Sequence, residues 1–284
     1  MPATPPEAAT IAAPIGSTLV PDLSALQRNA VRELLRTSPV AVELGERFAA
    51  AGHALHLVGG SVRDALLGRL GNDLDFTTDA RPDEVLAIVD GWHEGTWTTG
   101  IAFGTVGMVR RGYRLEVTTY RAEAYDRTSR NPEVTFGDSL SDDLARRDFA
   151  VNAMAVALPD WKAPEAFVDP YGGLDDLAAA VLRTPGTAQA SFDDDPLRML
   201  RAARFASQLG FTLAPDVVAA MTDMAGRLEI VAVERIADEV AALFPEARTA
   251  IVTSDTIWSP ARAAEFVAQM EEGAIDIVVG TQLV

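Results

Sequence analysis

The spacing of hydrophobic residues differs between the two parts of the chain, and the change lies near residue 139. Before that point, short apolar runs predict strands at 54–58, 74–76, 103–109 and 113–119. Helical spacing of apolar residues predicts helices over 26–51, 62–67 and 82–89. After residue 139 helical spacing predominates, over 139–146, 174–180, 194–209, 216–225 and 233–243. The pattern predicts an α/β domain followed by a helical domain.

Four segments follow from this pattern. Residues 1–22 are rich in Pro, Ala and Thr and lack periodicity, which is typical of a disordered tail. Residues 23–160 are expected to form the α/β head, and residues 161–242 a helical neck. Residues 243–284 change in character, because two apolar runs there flank a helix-like stretch, as in a βαβ unit.

Composition narrows the possible chemistry. The 284 residues are 48% hydrophobic and 23% charged, which suffices for a buried core. No apolar run reaches membrane-spanning length and no secretory signal is seen, so a cytoplasmic protein is expected. Cysteine is absent, and the single lysine, Lys162, does not follow glycine, which excludes thiolate zinc sites and a P-loop. The chemistry must therefore depend on carboxylates and arginines.

The net charge of −17 argues against bulk attraction to nucleic acid or to an anionic membrane. It leaves room for a local basic groove, because the arginines are unevenly placed. Membrane binding is therefore not expected, whereas binding of nucleic acid at a restricted site stays open. The oligomeric state cannot be read from the sequence.

Two carboxylates stand two residues apart in the run NDLDF at 72–76. On a strand, Asp73 and Asp75 would project from the same face and could converge on Mg²⁺, which prefers oxygen ligands. Metals held in this way stabilise the attacking and leaving oxygens of a phosphoryl displacement. An isolated Asp-x-Asp pair, however, is more often a solvated loop feature.

A third acid lies in the predicted hairpin strand at 113–119. Glu116 would share the polar face of this strand, while Leu115 and Val117 turn inward. It is either an ordinary solvent-facing residue or the acid that completes a metal cluster.

A glycine turn stands ten residues before Asp73, in the run GGSVRD at 59–64. Glycines allow backbone N–H groups to approach a phosphate, and Arg63 could reach the same anion. Gly60 and Arg63 are therefore candidate nucleotide contacts. The alternative is a plain joint between a strand and a helix.

Arginines recur in two later runs. Arg147 and Asp148 follow Arg146 directly. The three residues either form a solvated turn, or the guanidinium binds a phosphate while the neighbouring carboxylate binds a ribose hydroxyl. In the run DDDPLRMLRAARF at 193–205, four candidate residues would wind across about half of one helix. They are Asp195, Arg198, Arg201 and Arg204.

Taken together, seven runs resemble the class II tRNA nucleotidyltransferase and poly(A) polymerase family, which includes the bacterial CCA-adding enzymes. They are LVGGSVRDALLG at 57–68, NDLDF at 72–76, LEVTTYR at 115–121, DLARRDFAVNAMA at 143–155, DPYGGLDDL at 169–177, DDPLRMLRAARF at 194–205 and ERIADEV at 234–240. The resemblance covers about residues 50–240. It implies a polymerase-β-like nucleotidyltransferase head with a mixed sheet, followed by a helical neck.

The resemblance implies addition of CCA to tRNA 3′ ends from CTP and ATP, with Mg²⁺ as cofactor. Poly(A) polymerase activity and a nucleotide- or RNA-binding remnant without turnover are the alternatives. By similarity, Asp73 and Asp75 bind the metal, with Glu116 as third catalytic acid. Nucleotide contacts are implied for eight residues: Gly60 and Arg63, Arg147 and Asp148 at sugar and phosphates, Asp195 and Arg198 at the base, and Arg201 and Arg204.

The sequence also departs from the family pattern. Ala150 stands where the family commonly has Thr, and Asp194 replaces Glu before Asp195. The resemblance stops near residue 240, where family members continue with helices that hold tRNA. The run AIDIVVGTQLV at 274–284 instead resembles a segment of the primosomal replication-restart helicase, which suggests a gene fusion, a misassembly or a deliberate splice.

Overall fold

A seven-stranded sheet organises the first half of the molecule in a computed structural model that describes residues 29, 35, 38–69, 71–122, 135–137, 139–253 and 259–280. The predicted tail at 1–22 lies outside these residues. The strands are β1 (Leu55–Val58), β2 (Asp73–Thr78), β3 (Gly95–Trp97), β4 (Thr105–Arg110), β5 (Tyr113–Thr119), β6 (Arg121–Ala122), β7 (Thr135–Phe136), β8 (Ala155–Leu158), β9 (Phe167–Val168), β10 (Val181–Leu182), β11 (Thr212–Leu213), β12 (Thr249–Val252) and β13 (Ile277–Gly280).

Helices cover the sheet and build the second half. They are α1 (Pro39–Ala50), α2 (Gly60–Leu66), α3 (Pro82–Val89), α4 (Leu140–Ala145), α5 (Gly173–Ala179), α6 (Ala188–Asp194), α7 (Arg198–Leu209), α8 (Pro215–Met224), α9 (Val233–Leu243) and α10 (Pro260–Glu271). No helix within the described ranges is long and apolar enough to cross a membrane.

The sheet has the order β3-β4-β5-β2-β1-β8-β9. Strands β2 and β5 are parallel, whereas the other neighbours are antiparallel, so the sheet is mixed. Its inner face carries the main core, in which Phe48 of α1 and Phe76 of β2 are fully buried. The opposite face of β2 is left with polar side chains at alternate positions.

The helical half has its own core around Phe149, Phe192 and Phe205, where α6, α7 and α8 meet. Beyond it, β12 and β13 pair in parallel on either side of α10 and pack against α9. The predicted fold class is thus confirmed: a mixed-sheet head, a helical neck and a βαβ unit. The predicted segment boundaries stay predictions.

Two predicted helices have different bounds in the structure, in each case near a proline. The helical pattern over 26–51 is interrupted at Ser38, and α1 starts at Pro39. The helix predicted over 194–209 begins later, at Arg198, because the preceding helix α6 ends at Asp194 and Pro196 follows. Asp195 between them is extended, at φ −141° and ψ 99°, since a residue before proline avoids the helical region. Asp195 is therefore not on the helix of the three arginines.

Candidate active site

The three predicted acids lie on neighbouring parallel strands. Asp75 of β2 is in register with Glu116 of β5, and Asp73 is in register with Arg114. Residues opposite each other in a ladder point to the same side of the sheet. Leu115 is fully buried on the other side, so the predicted alternation along β5 is correct. The sheet thus brings Asp73, Asp75 and Glu116 together on one face.

The electrostatics of this face favour a cation. Burial, followed by the charge of Glu116, raises the pKa of the Asp75 carboxyl, and Asp73 adds to this effect. Arg147 and Arg63 act in the opposite direction but do not cancel it. The side chain of Asp73 is 81% exposed. Negative charge at the acids is therefore only partly compensated by the protein itself.

These acids suit a magnesium ion that is shared with a substrate better than a metal ion whose ligands all come from the protein. Within the described ranges, no three His, Cys, Asp or Glu side chains form a ready-made metal cage. Magnesium is commonly held by one or two carboxylates together with substrate phosphates. A pair of strand carboxylates whose charge is incompletely neutralised suits that mode of binding.

The glycine turn lies beside the acids, as predicted. Gly59 has φ +68°, and a Cβ there would lie 2.9 Å from Nη1 of Arg147, so glycine leaves room for this guanidinium. Ser61 fastens the turn to β2, since its hydroxyl oxygen accepts a hydrogen bond from the Asp75 backbone N–H at 2.9 Å. A cavity of about 420 Å³ is lined by Gly60, Ser61, Asp73 and Asp75, among others.

A buried acid that the sequence reasoning missed holds Arg147 in place. Asp143 of α4 is fully buried and accepts hydrogen bonds from Arg146 at 2.6 Å and from Arg147 at 3.0 Å. Burial alone would raise the pKa of its carboxyl, but the two guanidinium groups keep that pKa below its ordinary value. The spacing of three and four residues on a predicted helix was the available signal.

A second cavity, of about 370 Å³, has Arg147 in its lining. Its lining includes Arg146, Arg147, Ser191, Asp194 and Arg198. Arg147 thus borders the second cavity and also acts electrostatically on Asp75. Through this arginine, the acids of the head are linked electrostatically to the cavity at the start of α7.

Arg198 and Asp195 are separated within this site. The guanidinium of Arg198 is largely buried and donates to the Ser191 hydroxyl at 2.9 Å and to the Arg146 carbonyl at 2.5 Å. The Asp195 carboxylate accepts from the Leu197 N–H at 3.1 Å and pairs with Arg235 of α9 at 2.8 Å. Asp195 is not among the residues that line the second cavity.

Asp148 is the centre of a buried network and not an open contact. Its carboxylate accepts from the Phe149 N–H at 2.8 Å, from the Asn152 amide at 2.9 Å and from Arg201 at 2.6 Å. Burial would raise the pKa of Asp148, but Arg201 and Asn152 hold it below its ordinary value. The Asn152 carbonyl oxygen accepts from Arg63 at 2.7 Å. Asn152, which the sequence reasoning missed, therefore links Arg63 to Asp148.

The network continues into the neck. Glu239 of α9 accepts from Arg201 at 3.3 Å and from Arg204 at 2.5 Å. Three guanidinium groups surround the ring of Phe205, with Cζ to centroid distances of 5.1 Å for Arg63, 5.3 Å for Arg201 and 4.4 Å for Arg204. Arg201 and Arg204 thus hold α7 against α9 and against the head.

Comparison with known proteins gives consistent matches. The poly A polymerase head domain model matches residues 55–183, and the model of the probable RNA and SrmB-binding site of polymerase A matches residues 210–251. The CCA-adding enzyme of Levilactobacillus brevis is 44% identical over 186 residues, which are 65% of this chain and 45% of that protein. The CCA-adding enzyme of Anoxybacillus flavithermus is 43% identical over 66% of this chain and 45% of its own length.

A solved structure shows the same fold. The crystal structure of the Bacillus stearothermophilus CCA-adding enzyme in complex with CTP matches with a TM-score of 0.63 and 38% identity, over 72% of this chain and 48% of that one. The chain therefore spans about half the length of the relatives that it matches. The sheet, the acids on it and these matches agree, and the chain belongs to the tRNA nucleotidyltransferase and poly(A) polymerase family.

Proposed function

We propose that this chain adds CCA to the 3′ ends of tRNA from CTP and ATP, without a nucleic-acid template and with release of pyrophosphate. The carrying observation is the register of Asp75 with Glu116 beside a glycine turn that accommodates Arg147. Membership of the family supports the reaction class, and the relatives named as CCA-adding enzymes support the substrates. The proposed location of this activity is the cytoplasm.

Magnesium is the proposed cofactor, with Asp73 and Asp75 as its ligands. When bound, it supplies a positive charge for the phosphates and for the attacking and leaving oxygens. The raised pKa of Asp75 supports this assignment, because a cation would offset the neighbouring negative charges. Glu116 is the proposed third acid, facing Asp75 across the strand pair.

The proposed step is attack of the RNA 3′-hydroxyl on the α-phosphate of the nucleotide. One carboxylate of the acid face accepts the proton of this hydroxyl group. The hydroxyl group gives up this proton more readily when a cation is bound nearby. Arg147 stabilises negative charge on the phosphates from the side of the glycine turn, because Asp143 holds its guanidinium beside Gly59. Gly60 lines the adjoining cavity and gives the phosphates close access to the backbone.

Arg63 and Asp148 are proposed to serve the nucleotide from the interior. Both are buried and joined through Asn152, so their positions are tightly held. Asp148 is proposed to act at the sugar end of the nucleotide by positioning Arg63 through Asn152, and Arg63 is the proposed partner of the nucleotide phosphates.

Base recognition is proposed for Asp195 and Arg198, with Arg201 and Arg204 as further contacts. A carboxylate accepts from the exocyclic amine of cytosine or adenine, whereas a guanidinium donates to the ring acceptor. Uracil and guanine present these groups in reversed order and would leave them unpaired. Asp195 would exchange Arg235 for the base, at small cost, because the Arg235 side chain is 54% exposed.

The test is incorporation of labelled CTP and ATP into tRNA that lacks its terminal CCA, in the presence of Mg²⁺. We expect two cytidines and one adenosine per tRNA. Long A-tails without use of CTP would instead identify a poly(A) polymerase. Binding of CTP by folded protein without any transfer would identify a nucleotide-binding remnant, an outcome to consider because the chain spans about half of its relatives.

A further inference from the structure

A tryptophan closes the acid face on the side away from the glycine turn. The cross-strand register places four residues in one row over four strands, namely Trp97 of β3, Gly107 of β4, Glu116 of β5 and Asp75 of β2. Residues paired across a ladder project from the same face of the sheet. The Trp97 side chain therefore shares the face of the acids.

The indole lies directly on the backbone of β4. A Cβ at Gly107 would lie only 1.9 Å from Cε2 of Trp97, so only glycine permits the ring to occupy this place. The ring thereby reaches across β4 toward Glu116, which is opposite Gly107 on β5. The absence of a side chain at Gly107 is what brings an aromatic surface to the edge of the acid face.

A guanidinium extends this surface. Cζ of Arg114 lies 4.7 Å from the centroid of the Trp97 ring, and Nε of Arg114 lies 3.6 Å from the Asp73 carboxylate. Arg114 is 62% exposed in its side chain. The indole and the guanidinium thus form an aromatic and cationic pair that contacts Asp73 through Arg114 and is exposed to solvent at the guanidinium.

The sheet order gives this pair a definite side. Gly59 and Arg147 flank the acids near β1, whereas Trp97 flanks them from β3. In an in-line phosphoryl displacement, the attacking and leaving oxygens lie on opposite sides of the phosphorus. If the nucleotide phosphates occupy the β1 side, the attacking hydroxyl must come from the β3 side.

We propose that Trp97, supported by Arg114, is the stacking platform for the terminal base of the acceptor RNA. Aromatic rings and guanidinium planes are common partners of single-stranded bases, since every base offers a π face. The platform would place the 3′-hydroxyl over the acid face, and Arg114 would also attract the terminal phosphate. This inference rests on the proposed function and adds a contact that determines where the acceptor binds.

The test compares Trp97→Leu, which keeps an apolar cover on Gly107 but removes the π face, with Trp97→Phe, which keeps an aromatic ring. The matched control is Trp161→Leu, because Trp161 also carries a cation, Lys162 at 5.2 Å, but follows β8 on the other side of the sheet. Three quantities are measured: Kd and KM for tRNA ending before CCA, Kd for CTP, and the thermal unfolding midpoint.

For Trp97→Leu we expect Kd and KM for the tRNA to rise about 5- to 100-fold, as for loss of one stacked base. The Kd for CTP should stay within about twofold, Trp97→Phe should restore most of the affinity, and Trp161→Leu should leave it unchanged. Gly107→Ala, which displaces the indole, should weaken tRNA binding in the same direction.

Unchanged tRNA affinity in Trp97→Leu would overturn the platform, as would a loss of CTP affinity, which would place the ring at the incoming nucleotide. Weakening that only follows a lower unfolding midpoint would likewise reject it. If the unaltered chain binds tRNA in a Trp97-dependent way but transfers nothing, the platform stands and the proposed activity fails. If the unaltered chain transfers nucleotides while Trp97→Leu behaves identically, the activity stands and the platform fails.

Discussion

Carboxylates occur in two contrasting settings in this molecule. On the acid face, Asp75 is near Glu116 and Asp73, and its pKa is raised. In the network between head and neck, Asp148 is bound to Arg201 and its pKa is lowered. The first setting leaves negative charge to be compensated by something that binds, whereas the second compensates it internally. The contrast separates groups arranged for a ligand from groups that hold the ligand-binding parts together.

The arginines follow the same division. Arg147 is held by Asp143 but lines the second cavity and lies beside Gly59 of the glycine turn, so it can still meet a ligand. Arg201 and Arg204 share Glu239 of α9 as an internal partner, and Arg201 also pairs with Asp148. A change at the acid face should therefore mostly alter catalysis, and a change in the network should mostly alter stability.

The largest expected effect is on transfer by Asp75→Asn. Loss of a metal ligand should lower the transfer rate at least about 10³-fold. The same change should stabilise the metal-free protein, because a neutral amide avoids both the burial of charge and the repulsion by Glu116. Steady-state incorporation and urea unfolding in chelator measure the two effects. Asp160→Asn, at an exposed acid, is the control. Unchanged turnover would remove the metal assignment.

Next in size is the loss of stability in Asp148→Ala. Removing this carboxylate leaves Arg201, Asn152 and the Phe149 N–H without their acceptor. Breaking a buried ion pair in this way costs about 3 kcal/mol or more. Denaturant unfolding measures it, with Asp148→Asn as the isosteric control expected to lose less. A change below about 1 kcal/mol would show that the network is not structural.

A smaller effect links pH to magnesium. The raised pKa of Asp75 means that the metal-free protein loses stability as the pH rises through that pKa, since the native state then gives up a proton that it holds more tightly than the unfolded chain does. Magnesium binds the ionised form, so its stabilising effect should grow over the same pH range. At a hundred times its Kd the ion should add about 2.7 kcal/mol.

Thermal unfolding at several pH values, with magnesium and with chelator, measures this dependence. In Asp75→Asn the growth with pH should disappear. A magnesium effect of equal size at low and high pH would contradict a role for this carboxylate.

The smallest expected effect is that of Glu239→Gln. This change weakens two ion pairs of α7 without removing the side chain and should cost about 1 kcal/mol of stability. If α7 carries the base contacts, the preference for CTP over UTP should fall roughly fivefold. Competition between the two nucleotides measures this ratio. Glu234→Gln, at an exposed position of the same helix, is the control and should change neither quantity.

Local pattern was sufficient for the strands that carry the acids. Alternation along Leu115, Glu116 and Val117 indicated which side chains face the core, and β5 has that orientation. The glycine turn was likewise visible, because positive φ at Gly59 is a local requirement. The helix predicted from the spacing of apolar residues was wrong just before α7, because Pro196 excludes Asp195 from the helix.

The order of residues alone established that Asp73, Asp75 and Glu116 lie on strands with alternating side chains, and which residues of each strand share a face. Side-chain alternation is a property of the strand itself. Only the tertiary structure decided which charges are neutralised. Asp148 meets Arg201 across 53 residues, and Asp195 meets Arg235 across 40. The same is true of Trp97, which lies in one row with Glu116 and Asp75 only because β3, β4, β5 and β2 align. Desolvation and ion pairing depend on such distant neighbours, which no local period encodes.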